Sequence, residues 1–229
     1  MSEGGESAER GEWLEREYEP FRARRRQELF MSLAVFCYQN RPVADYYFEF
    51  GCHRARTLCA AYDAFHALFD WTYVAFDSFA GLPPIPAIDR AAAWSEGALC
   101  TSEEELVRLA CEGGVPRQKL ITVKGFYDES LTPALAARLL PGKAAIIYVD
   151  CDLYSSTVPV LEFVRPFLVR GTVLVFDDWF CFHGDPERGE RLAFAEFRRR
   201  HPLLRFQDFV ETSEVKAFIF LGDAGGEKV

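Results

Sequence analysis

Apolar positions along the 229-residue chain recur in two rhythms. Between Glu19 and Gln39, the residues Phe21, Leu29, Leu33, Phe36 and Cys37 recur at near-helical spacing, which predicts a helix closed by Arg41-Pro42. Beyond it, short apolar runs alternate with amphipathic segments. The runs 45–50, 72–77, 120–125, 144–150 and 172–177 read as strands, rich in β-branched and aromatic residues. Residues 54–69 read as a helix with Leu58, Ala61, Tyr62, Phe65, Leu68 and Phe69 on one stripe. A second helix, 102–114, starts at the cap Ser102 with Glu105 completing a capping box, and stops at Gly113. Further helices are predicted over 132–140, 155–168 (with Pro159 in the first turn, where no backbone donor is missed) and 190–202. Two last runs, 204–211 and 216–222, read as a strand hairpin at a sheet edge.

Strand alternating with helix, the interior strands being apolar on both faces, predicts an α/β fold: a mostly parallel sheet covered by helices on both sides. Ligands in such sheets bind beyond the carboxyl ends of the strands. Glu49, Gly51, Asp77, Gly125, Asp150, Asp152, Asp177 and Asp178 all fall there, directly after or at the end of a strand.

Composition changes this picture little. Length and an apolar share of 49% suit one α/β domain with a sizeable core. We expect an acidic disordered leader over 1–18, one domain over 19–222 and a flexible tail over 223–229. The net charge of −9 argues against a nucleic-acid partner, which needs a basic footprint. The basic cluster 22–27 reads as a solvated helix face or a subunit contact. Seven cysteines, an odd count without CxxC spacing, point to reduced thiols in a cytoplasmic protein. No apolar run reaches membrane-spanning length, so no membrane partner is expected.

Two pairs of acids stand out. Residues two apart on a strand face the same way, so Asp150 and Asp152 are expected to share the cleft, with Asp177 and Asp178 turned toward it by the next loop. Four carboxylates so close repel by kilocalories and either take up protons or recruit a cation. Oxygen-only ligands suit Mg²⁺. Such an ion lowers the pKa of an alcohol and orients it, while a remaining carboxylate takes the proton. The bland reading makes the acids helix caps, Asp152 of the 155–168 helix and Asp177 or Asp178 of a short turn. At the other end, "FEFGCHRARTL" offers an acid and a glycine before a helix, and Asp77 ends the next strand where both ribose hydroxyls can reach it. The second glycine of a dinucleotide loop is absent, Ala55 standing near its place, which favours S-adenosylmethionine over NAD. A nucleotide-dependent oxidoreductase and a non-catalytic binding protein on the same sheet are the alternatives.

The segments "EFG", "AFDSFAGLP", "SEEELVRL", "VKGFYDESLTP", "YVDCDLYSST" and "VLVFDDWF", spread over most of residues 45–180, resemble the macrocin O-methyltransferase family, metal-dependent sugar methyltransferases of natural-product biosynthesis. The resemblance implies a class I methyltransferase fold with strand order 3-2-1-4-5-7-6. It implies Mg²⁺ at Asp150, Asp177 and Asp178, a general base at Asp152, and ribose at Asp77. The Glu49–Gly51 turn would approach the methionine part of S-adenosylmethionine, with Ser78 and Phe79 beside the adenosine. Leu153 and Tyr154 stand where catechol-type enzymes carry a lysine base, and Ala55 replaces the family's usual glycine. His183 is a candidate second catalytic base or substrate contact. Trp94, Trp179, Phe180 and Phe182 are candidates for an aromatic acceptor pocket. The expected acceptor is a hydroxylated small molecule, and the expected assembly a homo-oligomer.

Overall fold

The computed structural model describes residues 9–225. Its strands are β1 (Tyr46–Phe50), β2 (Thr72–Asp77), β3 (Leu120–Lys124), β4 (Ala144–Val149), β5 (Val173–Phe176), β6 (Leu204–Glu211) and β7 (Lys216–Asp223). They form one sheet in the order β3-β2-β1-β4-β5-β7-β6. The first five strands run parallel, and β7 pairs antiparallel with both β5 and β6. The expected strand order and edge hairpin are therefore both present.

Helices cover both faces: α1 (Glu19–Asn40), α2 (Arg56–Phe65), α3 (Glu103–Glu112), α4 (Tyr127–Ser130), α5 (Pro133–Leu139), α6 (Tyr154–Val164) and α7 (Gly189–Arg200). The two-residue period of the strands divides the core into two layers. Tyr47, Tyr73, Ala75, Ile146 and Tyr148 pack against Phe30 and Leu33 of α1 and Leu58 and Phe65 of α2. Phe48, Phe50, Phe76, Ile147 and Val149 face Val160 and Leu161 of α6 and Phe194 and Phe197 of α7. Burying a single phenylalanine here stabilises by about 2–3 kcal/mol, so the two layers fix the sheet firmly beneath the strand tips.

Several local expectations are revised. The leader expected to be disordered over 1–18 is helical from residue 9, passing through a π-helical turn at Leu14–Tyr18 into α1; residues 1–8 lie outside the described residues. Trp13 stacks on Tyr18, and Glu19 pairs with Arg56 at 2.9 Å, which ties this end of α1 to the body. At the other end β7 runs on to Asp223, opposite Leu204, and residues 226–229 of the expected tail lie outside the described residues. Phe21, placed on the inward stripe by spacing, is exposed; Arg22 and Arg26 are half-buried on the inner side of the same turns. Helix α2 ends at Phe65, so Leu68 lies in a turn and is exposed. Ser102 caps α3 by accepting the Glu105 N–H at 3.2 Å, but the Glu105 carboxylate pairs with Arg108. Pro159 sits in the second turn of α6, because that helix begins at Tyr154. The missing donor leaves the Ser155 carbonyl without its helical partner.

Candidate active site

Backbone bonds between neighbouring strand tips position the site. The Asp177 N–H donates to Val149 O (2.9 Å), Asp150 N–H to Phe50 O (2.8 Å), Gly51 N–H to Phe76 O (2.9 Å) and Gly125 N–H to Asp77 O (3.0 Å). Each residue that follows a strand is thus held by the strand beside it. Above this row opens a cavity of about 680 Å³, and Gly51, Asp77, Ser78, Asp150, Asp152, Asp177 and Asp178 all line it.

The acids converge as expected, by a different route for Asp152. Strand β4 stops at Val149, and Asp152 turns into the cavity through a left-handed backbone (φ 60°) rather than by strand alternation. One carboxylate oxygen from each of Asp150, Asp177 and Asp178 lies within 4.8 Å of the others. Oxygens bound to one hard divalent ion lie no more than about 4–5 Å apart, so all three are within reach of a single ion. Asp178 is fixed at three points: its N–H donates to Glu190 Oε2 (3.0 Å), its Oδ2 accepts the Asp152 N–H (3.1 Å), and its Oδ1 accepts from Cys181 Sγ (3.2 Å). The Tyr148 hydroxyl donates to Asp177 Oδ1. Neither pair of acids does the capping work that was the alternative reading. The cap of α6 is Asp89, fully buried, whose two oxygens accept the N–H groups of Tyr154 (2.7 Å) and Ser155 (3.1 Å). Asp152 is thereby left to the cavity.

Electrostatics favour a cation here. Desolvation first, and then repulsion from the neighbouring aspartates, pushes the carboxyls of Asp150 and Asp152 well above the usual carboxylate range, and Asp178 to about 6. The opposing charge within ion-pair range is Arg22, whose Nη2 lies 3.9 Å from Asp177 Oδ2 while its Nε faces Glu214 at 3.6 Å. An oxygen-only donor set with this much mutual repulsion fits Mg²⁺.

The donor end is built on backbone. Gly51 has φ 85°, and a Cβ there would lie 1.9 Å from the Asp150 carbonyl oxygen, so only glycine lets the β1 and β4 tips close. Asp77 joins two loops, its Oδ2 accepting the Cys52 N–H and its Oδ1 the Phe79 N–H, both at 2.8 Å. Burial raises its pKa. Ser78 lines the cavity but commits its hydroxyl to the Gly81 carbonyl at 2.7 Å.

Four sequence expectations are not met by the positions found. Glu49 does not line the cavity: strand alternation sends it into the α1–α2 layer, where the Tyr47 hydroxyl donates to Oε2 (2.5 Å) and Oε1 has no partner. Phe79, also expected beside the cofactor, turns through a left-handed backbone (φ 54°) into the core. His183 is exposed and outside the cavity, because Phe182 takes the inward place in that turn beneath Arg188, 4.5 Å from its ring centroid. It is no longer a candidate base. Of the four aromatics, Trp94 alone lines the cavity; Trp179 packs among Phe176, Phe194 and Phe218. Leu82, Pro83 and Pro84 supply the apolar wall instead, with Leu99 and Phe126.

Arg22 and Arg26 are the main cavity-lining residues that the sequence did not point to. Both line the cavity, so the basic cluster is not merely a solvated face. A signal was available: positions 22, 26, 29, 33 and 37 follow one helical stripe, the last three being buried. Asp89, Tyr148 and Glu190 were also missed, and for Asp89 no local signal exists, since its partners lie 65 and 66 residues away.

Two stability predictions follow from this geometry. Ala55 occupies the left-handed region (φ 54°, ψ 16°), where a Cβ costs roughly 1 kcal/mol relative to glycine. Ala55→Gly should stabilise the fold by about 0.5–1 kcal/mol in urea unfolding. Separately, desolvation raises Glu49 to about 8, and Asp178 stands at about 6. Both bind protons more tightly folded than unfolded, so their stabilising contribution is complete below pH 4 and is lost as pH rises through 6 and 8. In EDTA, the melting temperature should fall by several degrees from pH 5 to pH 8; a rise would contradict these assignments.

Comparison with known proteins places the fold in a family. The family model described as macrocin O-methyltransferase (TylF) matches residues 40–210. No curated protein matches the chain in sequence. Among solved structures, the O-methyltransferase NovP is similar with TM-score 0.68 and 20% identity over 86% of this chain and 80% of that one. The calicheamicin methyltransferase CalS11 gives TM-score 0.65 and 24% identity over 86% and 79%. The O-methyltransferase TomG from Streptomyces achromogenes, solved with S-adenosylmethionine, gives 0.54 and 12% over 85% and 80%. At these identities the likeness is one of fold, the class I methyltransferase sheet.

Proposed function

The chain belongs to the macrocin O-methyltransferase family, and from that premise we propose that it methylates a hydroxyl of a sugar-containing or polyhydroxylated natural product with Mg²⁺ held by Asp150, Asp177 and Asp178. That it is an S-adenosylmethionine-dependent O-methyltransferase follows from the family and the fold; the metal, the acceptor and the residue roles are the proposal. The oxidoreductase and non-catalytic alternatives fall away with family membership. The observation that carries the reading is the convergence of three carboxylate oxygens within 4.8 Å at the cavity floor, a costly arrangement without a cation.

When bound, S-adenosylmethionine supplies an electrophilic methyl group and Mg²⁺ supplies acidification and alignment of a hydroxyl. The chain's own residues do the rest. Asp77, at the tip of β2, holds the ribose and Gly51 admits the methionine part close to backbone. Asp152 is the general base: burial and Asp178 raise its proton affinity, which suits it to accept a hydroxyl proton. The wall formed by Leu82, Pro83, Trp94 and Leu99 keeps water from the reacting groups and gives an apolar surface to the acceptor.

Titration calorimetry with S-adenosylhomocysteine, followed by mass-spectrometric screening of glycosylated and polyhydroxylated acceptors with and without Mg²⁺, tests the proposal. A methylated product that requires Mg²⁺ supports it, whereas undiminished turnover in EDTA removes the metal from it. The homo-oligomer expectation is carried forward as part of the proposal, since Met31, Val35 and Tyr38 are exposed along the outer face of α1. Sedimentation velocity at micromolar concentration checks it. Among the described residues no helix is long and apolar enough to cross a membrane.

A further inference from the structure

The donor has three recognisable parts, and two of them are placed by the row of strand tips. Its ribose belongs at Asp77 on β2, and its methyl group must reach the acids at the ends of β4 and β5. Neighbouring strands lie about 4.8 Å apart, so the sulfonium that joins ribose to methyl sits above the tip of β1, over Gly51, and the amino-acid branch leaves it there toward one side of the cavity. That branch ends in a carboxylate. It must settle in a cavity whose floor already carries Asp77, Asp150, Asp152, Asp177 and Asp178, and a carboxylate desolvated there, even beside its own α-ammonium, is best met by a positively charged donor.

On the α6 side of the cavity the wall is neutral or acidic: Ser155, Ser156, Pro159, Phe126, Tyr127 and Asp128. On the α1 side stand three guanidinium groups. Arg56 is paired with Glu19 at 2.9 Å. Arg22 lies between Asp177 and Glu214. Arg26 lines the cavity one helical turn further along α1, is half-buried, and has neither an ion pair nor a side-chain hydrogen bond among the described residues. Its charge acts on Glu49 of β1, the strand whose tip the donor crosses, and on Tyr148 of the neighbouring β4.

We propose that Arg26 binds the α-carboxylate of the methyl donor, its planar fork receiving the two oxygens of the amino-acid branch that leaves the sulfonium over Gly51. The inference rests on the donor reading and assigns this chain's recognition of the amino-acid end to α1. It also gives a role to the basic cluster that charge patterning alone marks as solvated. A guanidinium fork matches a carboxylate in two parallel hydrogen bonds, which an ammonium cannot reproduce.

Calorimetry on the full chain tests it, comparing S-adenosylhomocysteine with the same thioether lacking its carboxylate. Wild type should prefer the carboxylated ligand by roughly 10- to 100-fold. Arg26→Gln should lose most of that preference while binding the decarboxylated ligand as wild type does, and Arg26→Lys should fall between the two. Equal weakening of both ligands in Arg26→Gln would reduce Arg26 to a packing role and overturn the proposal. So would an unchanged preference, or one lost in Arg22→Ala and kept in Arg26→Gln. Wild type binding neither ligand would instead defeat the donor reading itself, and is thereby distinguishable.

Discussion

Asp150→Asn should lower kcat by at least about 10³-fold and weaken Mg²⁺ binding by more than about 100-fold, while the metal-free protein becomes more stable. Both effects come from one local charge balance. The Asp150 carboxyl is desolvated and faces Asp177, Asp178 and Asp152, so its charge is unfavourable until a cation arrives. An amide of the same shape removes a like charge and keeps the backbone bond from Asp150 N–H to Phe50 O. Repulsion at about 4.5 Å and an effective dielectric near 20 amounts to roughly 3–4 kcal/mol, part of which the wild type already avoids by protonation. A gain of about 1–2 kcal/mol at pH 8 remains, equivalent to a melting temperature roughly 2–8 °C higher in EDTA for a chain this size. Added Mg²⁺ should then raise the melting temperature of wild type and leave the variant unmoved. Loss of activity with loss of stability would instead mark a folding defect.

Asp152→Asn should separate base from metal site. We expect kcat to fall by about 10²–10⁴, with affinities for Mg²⁺ and S-adenosylhomocysteine within about threefold of wild type. Asparagine is the informative replacement, since Asp152 sits at φ 60° and asparagine tolerates that left-handed backbone as aspartate does. The bond that Asp152 gives to Asp178 comes from its backbone N–H, so it survives the substitution. Stopped turnover with intact calorimetric titrations would assign proton transfer to this carboxylate. A parallel collapse of Mg²⁺ affinity would make Asp152 a metal ligand instead.

The sheet and the acid cluster were legible in the sequence because both depend on short-range patterns. Apolar runs ending on Asp77, Asp150 and Asp177 mark strand tips, and tips in a parallel sheet meet at one edge. What failed depended on side-chain direction. Glu49 and Gly51 share a motif, yet Glu49 is still inside β1 and points into the core, whereas Gly51 lies past the strand end, where its left-handed backbone (φ 85°) puts it on the cavity wall. His183 and Phe182 compete for one inward position, and the aromatic ring takes it because burial favours the apolar group. Arg22 and Arg26 were hidden by their composition: a run of arginines reads as solvated, although their spacing continues the buried stripe of α1. Asp89 was not legible at all. Its capping partners on α6 lie far along the chain, so only tertiary structure identifies it as the residue that secures the Leu82–Leu99 wall to the helix after the acids.

The central claim is that Asp150, Asp177 and Asp178 jointly hold a divalent ion at the cavity floor. Anomalous diffraction from crystals soaked in Mn²⁺, a hard cation of the same preference for oxygen ligands, measures it directly. The account predicts one strong peak within coordination distance of all three carboxylates, absent from crystals of Asp150→Asn. A fully occupied peak elsewhere in the cavity, or none at millimolar Mn²⁺ with the three side chains turned apart, would contradict it.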